Sequence, residues 1–104
     1  EFLYSEDLAD ACVYLMINYT DNQFVNIGVG KDITIKELAL KIKNLVGYQG
    51  ELTFDSSKPD GTPRKLVDVT KLNGIGWSAK TSLDEGLSKT YKWFKENELT
   101  TTNK

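Results

Sequence analysis

The residues best suited to chemistry in this sequence cluster in one segment, residues 55–65, which is called the cationic loop. Its two prolines restrict the backbone, and Asp60-Gly61 favours a turn, so the sequence predicts a surface loop of defined shape. Residues 58–65 carry three cations and one carboxylate in a chain whose net charge is −2. Concentrated positive charge on a rigid loop suits an anionic ligand, with phosphate as the first candidate, although a solvated turn without a ligand explains the same residues.

The size and composition of the chain limit the classes of function. The 104 residues have room for one small domain, and the proportions of 39% hydrophobic and 27% charged residues are those of a soluble globular domain. A net charge of −2 and a pI near 5.1 argue against a nucleic-acid partner. No apolar run reaches the ~18 residues of a membrane span, so no membrane partner is expected.

The counts of histidine and cysteine point away from catalysis within this chain. There is no histidine, which removes the commonest general base and metal ligand, so we expect neither a metal site nor a catalytic triad. Cys12 is the one cysteine, which excludes an intrachain disulfide and fits a reducing, cytoplasmic setting. Its neighbours Ala11 and Val13 predict a buried apolar side chain.

Periodicity and capping signals predict a lobe of mixed α and β structure, of the α/β (α+β) class. Short strands are expected at residues 2–4, 24–27, 51–54 and 66–67. About three to four helices are expected, and they begin near Ser5, after Thr34, near Asp68 and after Ser82.

Two clusters could be mistaken for active sites. The acidic residues Glu6, Asp7 and Asp10 are interpreted as favourable charge on the solvent side of a helix start rather than paired catalytic carboxylates. Gly28-Val29-Gly30 resembles the start of a dinucleotide-binding fingerprint, but Ile33 stands at the third glycine position. A tight turn is therefore favoured over a phosphate site, which stays open as the less favoured alternative.

Three motifs together carry a family resemblance. They are residues 1–11 (Glu-Phe-Leu-Tyr-Ser-Glu-Asp-Leu-Ala-Asp-Ala), 25–30 (Val-Asn-Ile-Gly-Val-Gly) and 58–68 (Lys-Pro-Asp-Gly-Thr-Pro-Arg-Lys-Leu-Val-Asp). The chain resembles the C-terminal part of the GDP-L-fucose synthase family, within the extended short-chain dehydrogenase/reductases. The first two motifs indicate only that superfamily, and the third narrows the resemblance to the fucose synthase branch.

The resemblance implies a parent enzyme of Rossmann type that epimerises GDP-4-keto-6-deoxy-mannose at C3 and C5 and then reduces C4 with NADPH. Residues 1–97 are expected to be its C-terminal substrate-binding domain, with a frayed tail at residues 98–104. The cofactor site and the catalytic residues are expected upstream of residue 1, in a Rossmann domain that is missing here. The chain alone should therefore bind no NADPH and contain no catalytic residue.

The resemblance also implies which residues contact substrate. Lys58 and Lys65 are expected to face the diphosphate of a GDP-sugar, and Asp60 and Arg64 come second, as contacts to ribose or phosphate. Surface normally covered by the missing domain is expected to drive self-association, through one of the four aromatic residues Phe2, Tyr4, Trp77 and Trp93. The alternatives are the substrate lobe of another nucleotide-sugar epimerase, reductase or dehydratase, and a free-standing module that binds an anion or a protein.

Overall fold

The computed structural model describes residues 1–61 and 65–99, and within them the regular elements are helical. The α-helices are α1 (Ser5–Asn18), α2 (Ile35–Val46), α3 (Thr70–Ile75) and α4 (Leu83–Phe94). A single turn of π-helix, Lys95–Leu99, continues α4. The four α-helices agree with the predicted three to four. Arg64 and the last five residues of the predicted tail lie outside the described residues.

The predicted short strands are wrong for the described part of the chain. Residues 2–4, 24–27, 51–54 and 66–67 adopt no regular structure there. A strand exists through backbone hydrogen bonds to a neighbouring strand, and no such ladder joins these segments among the described residues. Leu3, Val25 and Ile27 instead pack their side chains against the core. Their apolar alternation therefore reflects burial without strand pairing.

The starts of α2 and α4 follow the predicted capping boxes. The Thr34 hydroxyl accepts a hydrogen bond from the N–H of Glu37 at 3.1 Å, and the Ser82 hydroxyl accepts one from the N–H of Glu85 at 3.2 Å. Each bond satisfies one of the N–H groups that a helix start leaves without an intrahelical partner. These two predictions are confirmed.

Helix α1 begins near Ser5 as predicted, but Ser5 is not its capping residue. Ser5 is already the first helical residue, and the capping position is held by Tyr4 without a side-chain hydrogen bond to the helix. Helix ends follow glycine more closely, since Gly47 ends α2 with φ of 73° and Gly76 ends α3 with φ of 115°. These are left-handed conformations that glycine adopts without a steric penalty.

The core is small and joins α1 to α3. Ala11 and Leu72 are completely buried, and Trp77 is 2% exposed. Partly buried residues surround these three: Leu3, Tyr14, Leu15, Val25, Ile27, Val69 and Ala79. The Tyr14 hydroxyl also donates a hydrogen bond to the carbonyl of Ile75 at 3.0 Å. Helix α1 is thus held to the α3 segment by packing and by a polar contact.

Helix α1 packs on the core through a face that includes a charged residue, and the predicted burial of Cys12 is wrong. Asp7 and Ala11 are buried and Tyr14 packs against the core, which is the i, i+4, i+7 face. Cys12, predicted to be buried, is exposed, and Met16 is 83% exposed. Apolar residues lie on more than one side of the helix, so periodicity does not select which side packs.

A second apolar surface of α1 remains uncovered. It consists of Val13, Met16 and Ile17, all exposed and related by i, i+3 and i+4 spacing, and is called the outer face of α1. The radius of gyration of 17.0 Å is larger than the roughly 13 Å of a compact domain of this length.

No helix in the described ranges is long and apolar enough to span a membrane.

Candidate functional site

The described residues of the cationic loop, 55–61 and 65, lie at the surface. Lys58, Asp60 and Lys65 are all exposed and lie in irregular backbone. At the start of the loop, the Asp55 carboxylate accepts hydrogen bonds from the Ser57 hydroxyl at 2.5 Å and the Ser57 N–H at 2.9 Å. These two donors, the hydroxyl first, hold the pKa of Asp55 below its ordinary value. The three described residues are accessible to a ligand, and substrate contact by any of the four stays a prediction.

Beyond the loop, one carboxylate joins two distant pieces of backbone. One oxygen of Glu1, Oε2, accepts hydrogen bonds from the N–H of Val29 at 2.5 Å and of Gly30 at 2.6 Å. The other oxygen, Oε1, accepts one from the N–H of Val67 at 2.7 Å. This arrangement, the Glu1 clamp, ties the glycine turn to the backbone two residues after Lys65.

The Glu1 clamp favours an ionised carboxylate. Partial burial opposes the charged form, but the N–H groups of Gly30, Val67 and Val29 favour it. Together they hold the pKa of the Glu1 carboxyl below its ordinary value.

The glycines of the turn make room for this contact. A Cβ at Gly28 would lie 2.7 Å from Oε2 of Glu1 and 3.0 Å from Cβ of Val67. Gly30 has φ of 82°, and a Cβ there would lie 2.7 Å from Cγ2 of Val69. The donors that a dinucleotide phosphate would need are taken by Glu1, so the turn does not fit the pyrophosphate of NADPH.

A second carboxylate contact anchors the start of α1. Asp7 is 5% exposed and accepts hydrogen bonds from the N–H of Thr81 at 2.9 Å, the N–H of Lys80 at 3.2 Å and the Thr81 hydroxyl at 3.2 Å. The interpretation of Asp7 as a solvent-side charge is therefore wrong. Its i, i+4, i+7 spacing with Ala11 and Tyr14 was the available signal, because those residues lie on the packed face.

Asp10 completes this contact region. Its carboxylate accepts hydrogen bonds from Lys80 Nζ at 2.8 Å and from Trp77 Nε1 at 2.9 Å. The Lys80 ammonium, and then the Trp77 N–H, hold the pKa of Asp10 below its ordinary value, and Asp10 in turn raises the pKa of Lys80. The carboxylates of Asp7 and Asp10 thus join α1 to residues 77–81, and they do not form an acid–base pair.

A cavity lies beside the Glu1 clamp. Its volume is about 790 Å³, and residues 2–5, the turn from Val29 to Ile33, residues 79–83 and α4 contribute to its walls. Lys31 and Lys80 supply positive charge there, whereas Lys58, Asp60 and Lys65 are not among the described lining residues. Val29 belongs to both the wall and the clamp, so the clamp connects the cavity to the end of the loop.

A metal site is not seen among the described residues, 1–61 and 65–99. Within those ranges no three cysteine, aspartate or glutamate side chains are grouped so that they could hold an ion.

The fold is that of part of a nucleotide-sugar enzyme. Over 92% of this chain it matches the crystal structure of a GDP-6-OMe-4-keto-L-xylo-heptose reductase from Campylobacter jejuni, with a TM-score of 0.85 and 42% identity. A GDP-mannoheptose C4 reductase from the same organism, solved with NADP bound, matches over 91% of the chain, with a TM-score of 0.78 and 42% identity. These matches cover 30% and 31% of the two solved chains.

Sequence relatives point to one activity within that class. GDP-L-fucose synthase 1 of Arabidopsis thaliana is 54% identical over 97 residues, and GDP-L-fucose synthase of Escherichia coli K12 is 47% identical over 107. These alignments include 93% and 94% of this chain, and the resemblance to GDP-L-fucose synthase is confirmed. The chain spans 30% and 33% of the length of these curated relatives. No family model matches the chain.

Proposed function

We propose that residues 1–97 are the GDP-sugar-binding lobe of an NADPH-dependent epimerase/reductase that makes GDP-L-fucose. The observation that carries this proposal is the identity, over nearly the whole chain, to relatives named GDP-L-fucose synthase. In this proposal the lobe holds substrate and performs no chemistry alone. The catalytic residues and the NADPH site belong to the part of the parent protein that the chain does not span.

A second candidate is the same lobe in an enzyme for a different GDP-sugar. The solved structures favour it, because they are named as reductases of GDP-heptoses. GDP is common to all these names and the sugar differs among them. The diphosphate and nucleoside are therefore the ligand parts that this lobe is proposed to recognise.

The cationic loop supplies suitable groups for the diphosphate. Lys58 and Lys65 are exposed, and no acidic side chain in the described part of the chain forms an ion pair with either. Each lysine ammonium group can therefore contact a phosphate without first breaking an ion pair with a carboxylate. Asp60 and Arg64 are proposed as further contacts to ribose or phosphate, on sequence grounds alone.

Titration of GDP into isotope-labelled protein is expected to shift the amide signals of residues 57–66 in NMR spectra. The double variant Lys58→Ala/Lys65→Ala should weaken GDP binding about tenfold or more, because charge-assisted hydrogen bonds to phosphate are lost. Binding should also weaken as salt is added. NADPH is expected not to bind, since the donors of the glycine turn are occupied by Glu1.

The matched control for that titration is Lys36→Ala/Lys92→Ala, which removes the same charge from two exposed helical positions. It should bind GDP as the unmodified protein does. Equal weakening in both double variants would mean that only net charge matters, and unmoved loop signals would contradict the loop assignment.

The outer face of α1 is proposed to be the surface that packs on the cofactor-binding domain of the parent protein. The second half of α1 carries apolar side chains that the core does not cover, and Met16 and Ile17 are among the most exposed apolar residues here. The chain on its own is therefore expected to self-associate through this face. Trp77, expected from sequence to be part of such a surface, is instead in the core.

The variant Met16→Lys/Ile17→Lys is expected to lower the mass measured by light scattering to that of a monomer. The control Trp93→Lys changes an exposed aromatic residue on α4 and should leave the assembly intact. A monomeric unmodified chain at every concentration would contradict self-association, and dissociation by Trp93→Lys alone would move the interface to α4.

A further inference from the structure

We propose that Glu1 is a positioning residue, which fixes the end of the cationic loop against the glycine turn and so holds Lys65 in place for a diphosphate. The role of Lys65 rests on the proposed function, whereas the clamp itself rests on contacts in the structure. Three hydrogen bonds, from Val29, Gly30 and Val67, converge on the one carboxylate. They join residues that are 28, 29 and 66 positions from Glu1 in the sequence.

The clamp needs a carboxylate at this position. All three partners are backbone N–H donors, so both side-chain oxygens of Glu1 must accept. Glutamine has the same shape but replaces one oxygen by a donor NH₂ group. Whichever way the amide is turned, at least one backbone N–H then faces another donor and stays unsatisfied.

The clamp acts on the loop because little else holds its end. The side chains of Lys65 and Leu66 are exposed, so neither packs the loop onto the core. Val67 is partly buried, and its N–H is bonded to Glu1. The close approach of Val67 to Gly28, where a Cβ would lie only 3.0 Å from Cβ of Val67, shows that the two backbones lie against each other. Loss of the Glu1 contact should therefore release Lys65 before it unfolds the core.

The test compares Glu1→Gln with Asp7→Asn in the whole chain. Asp7 is the matched control, because it is also a carboxylate that accepts backbone N–H bonds, but it ties α1 to residues 80 and 81. In protein without ligand, amide hydrogen exchange at Val67 should be about tenfold faster in Glu1→Gln, whereas in Asp7→Asn it should rise no more than exchange at the core amides does, because that substitution lowers the stability of the whole chain. Gly28→Ala, which displaces the carboxylate from the other side, should reproduce the effect of Glu1→Gln.

The second measurement is the affinity for GDP, which would not change if the role of Glu1 were purely structural. Glu1→Gln is expected to weaken GDP binding about tenfold, and Asp7→Asn less than about twofold at a temperature where both remain folded. Equal weakening in the two variants, or full affinity in Glu1→Gln, would overturn the positioning role. If the unmodified protein does not bind GDP, the proposed function fails, and the exchange rates alone decide on the clamp. Unchanged exchange at Val67 in Glu1→Gln would then refute the clamp.

Discussion

Replacement of Leu72 by alanine is expected to lower the free energy of unfolding by about 3 kcal/mol, enough to unfold much of a marginally stable chain. Leu72 is completely buried and is the largest side chain with that degree of burial. It lies in α3, whose six residues are too few to form a stable helix without tertiary contacts. The cavity left by the substitution would lie beside Trp77, in a core whose buried members, within the described part of the chain, are Ala11, Leu72 and Trp77. Urea unfolding followed by tryptophan fluorescence measures the loss.

Leu40→Ala is the matched control for this substitution. Leu40 is also a helical leucine, but it is 43% exposed on α2, so its replacement should cost less than about 1 kcal/mol. A similar loss in the two variants would mean that α3 does not pack as described. No loss in Leu72→Ala would contradict the assignment of the core itself.

Replacement of Asp7 by asparagine is expected to cost about 2–3 kcal/mol of unfolding free energy. The substitution keeps the shape of the side chain but places a donor NH₂ group among three donors: two backbone N–H groups and the Thr81 hydroxyl. Because Asp7 is only 5% exposed, water cannot readily replace the lost bonds. Thermal unfolding should show a lower midpoint, and the amides of Lys80 and Thr81 should lose protection from hydrogen exchange.

Asp84→Asn tests whether a charge in the first turn of a helix is enough to explain such a loss. Asp84 occupies the first turn of α4, and its side chain is 74% exposed and pairs with Lys41 at 2.8 Å. Exposed ion pairs contribute little, so this change should cost less than about 0.5 kcal/mol. If the Asp84 and Asp7 variants lose equal stability, the contribution of Asp7 is that of helix-end charge and not of its hydrogen bonds.

Local chemistry made the helix boundaries predictable. The capping residues Thr34 and Ser82 act within three positions of themselves, and Gly47 and Gly76 end helices through their own backbone conformation. Such signals require no knowledge of the rest of the chain. The exposure of the cationic loop was predictable for the same reason, because prolines and an Asp-Gly pair act locally.

Contacts between distant residues were not predictable in this way. An apolar pattern on more than one side of α1 could not show that Cys12 faces outward while Asp7 faces the core. Strand predictions failed because a strand depends on a neighbour, which its own sequence does not supply. The Glu1 clamp was hidden for a related reason, since its partners are 28 to 66 positions away. The glycine turn alone gave no sign that an acidic side chain would fill it.

That filled turn changes how the glycine motif should be interpreted. Two successive backbone N–H groups in a tight turn form a concavity that attracts anions, and in this chain a side-chain carboxylate serves as the internal counter-ion. A nucleotide phosphate that binds at Gly28-Val29-Gly30 would have to displace the Glu1 carboxylate. Because this carboxylate is part of the same chain, its effective concentration at the turn is high. Glu1 therefore occupies the position that a phosphate would take at the turn. The lysines of the cationic loop then remain as the positive charge that can bind the phosphate of a ligand.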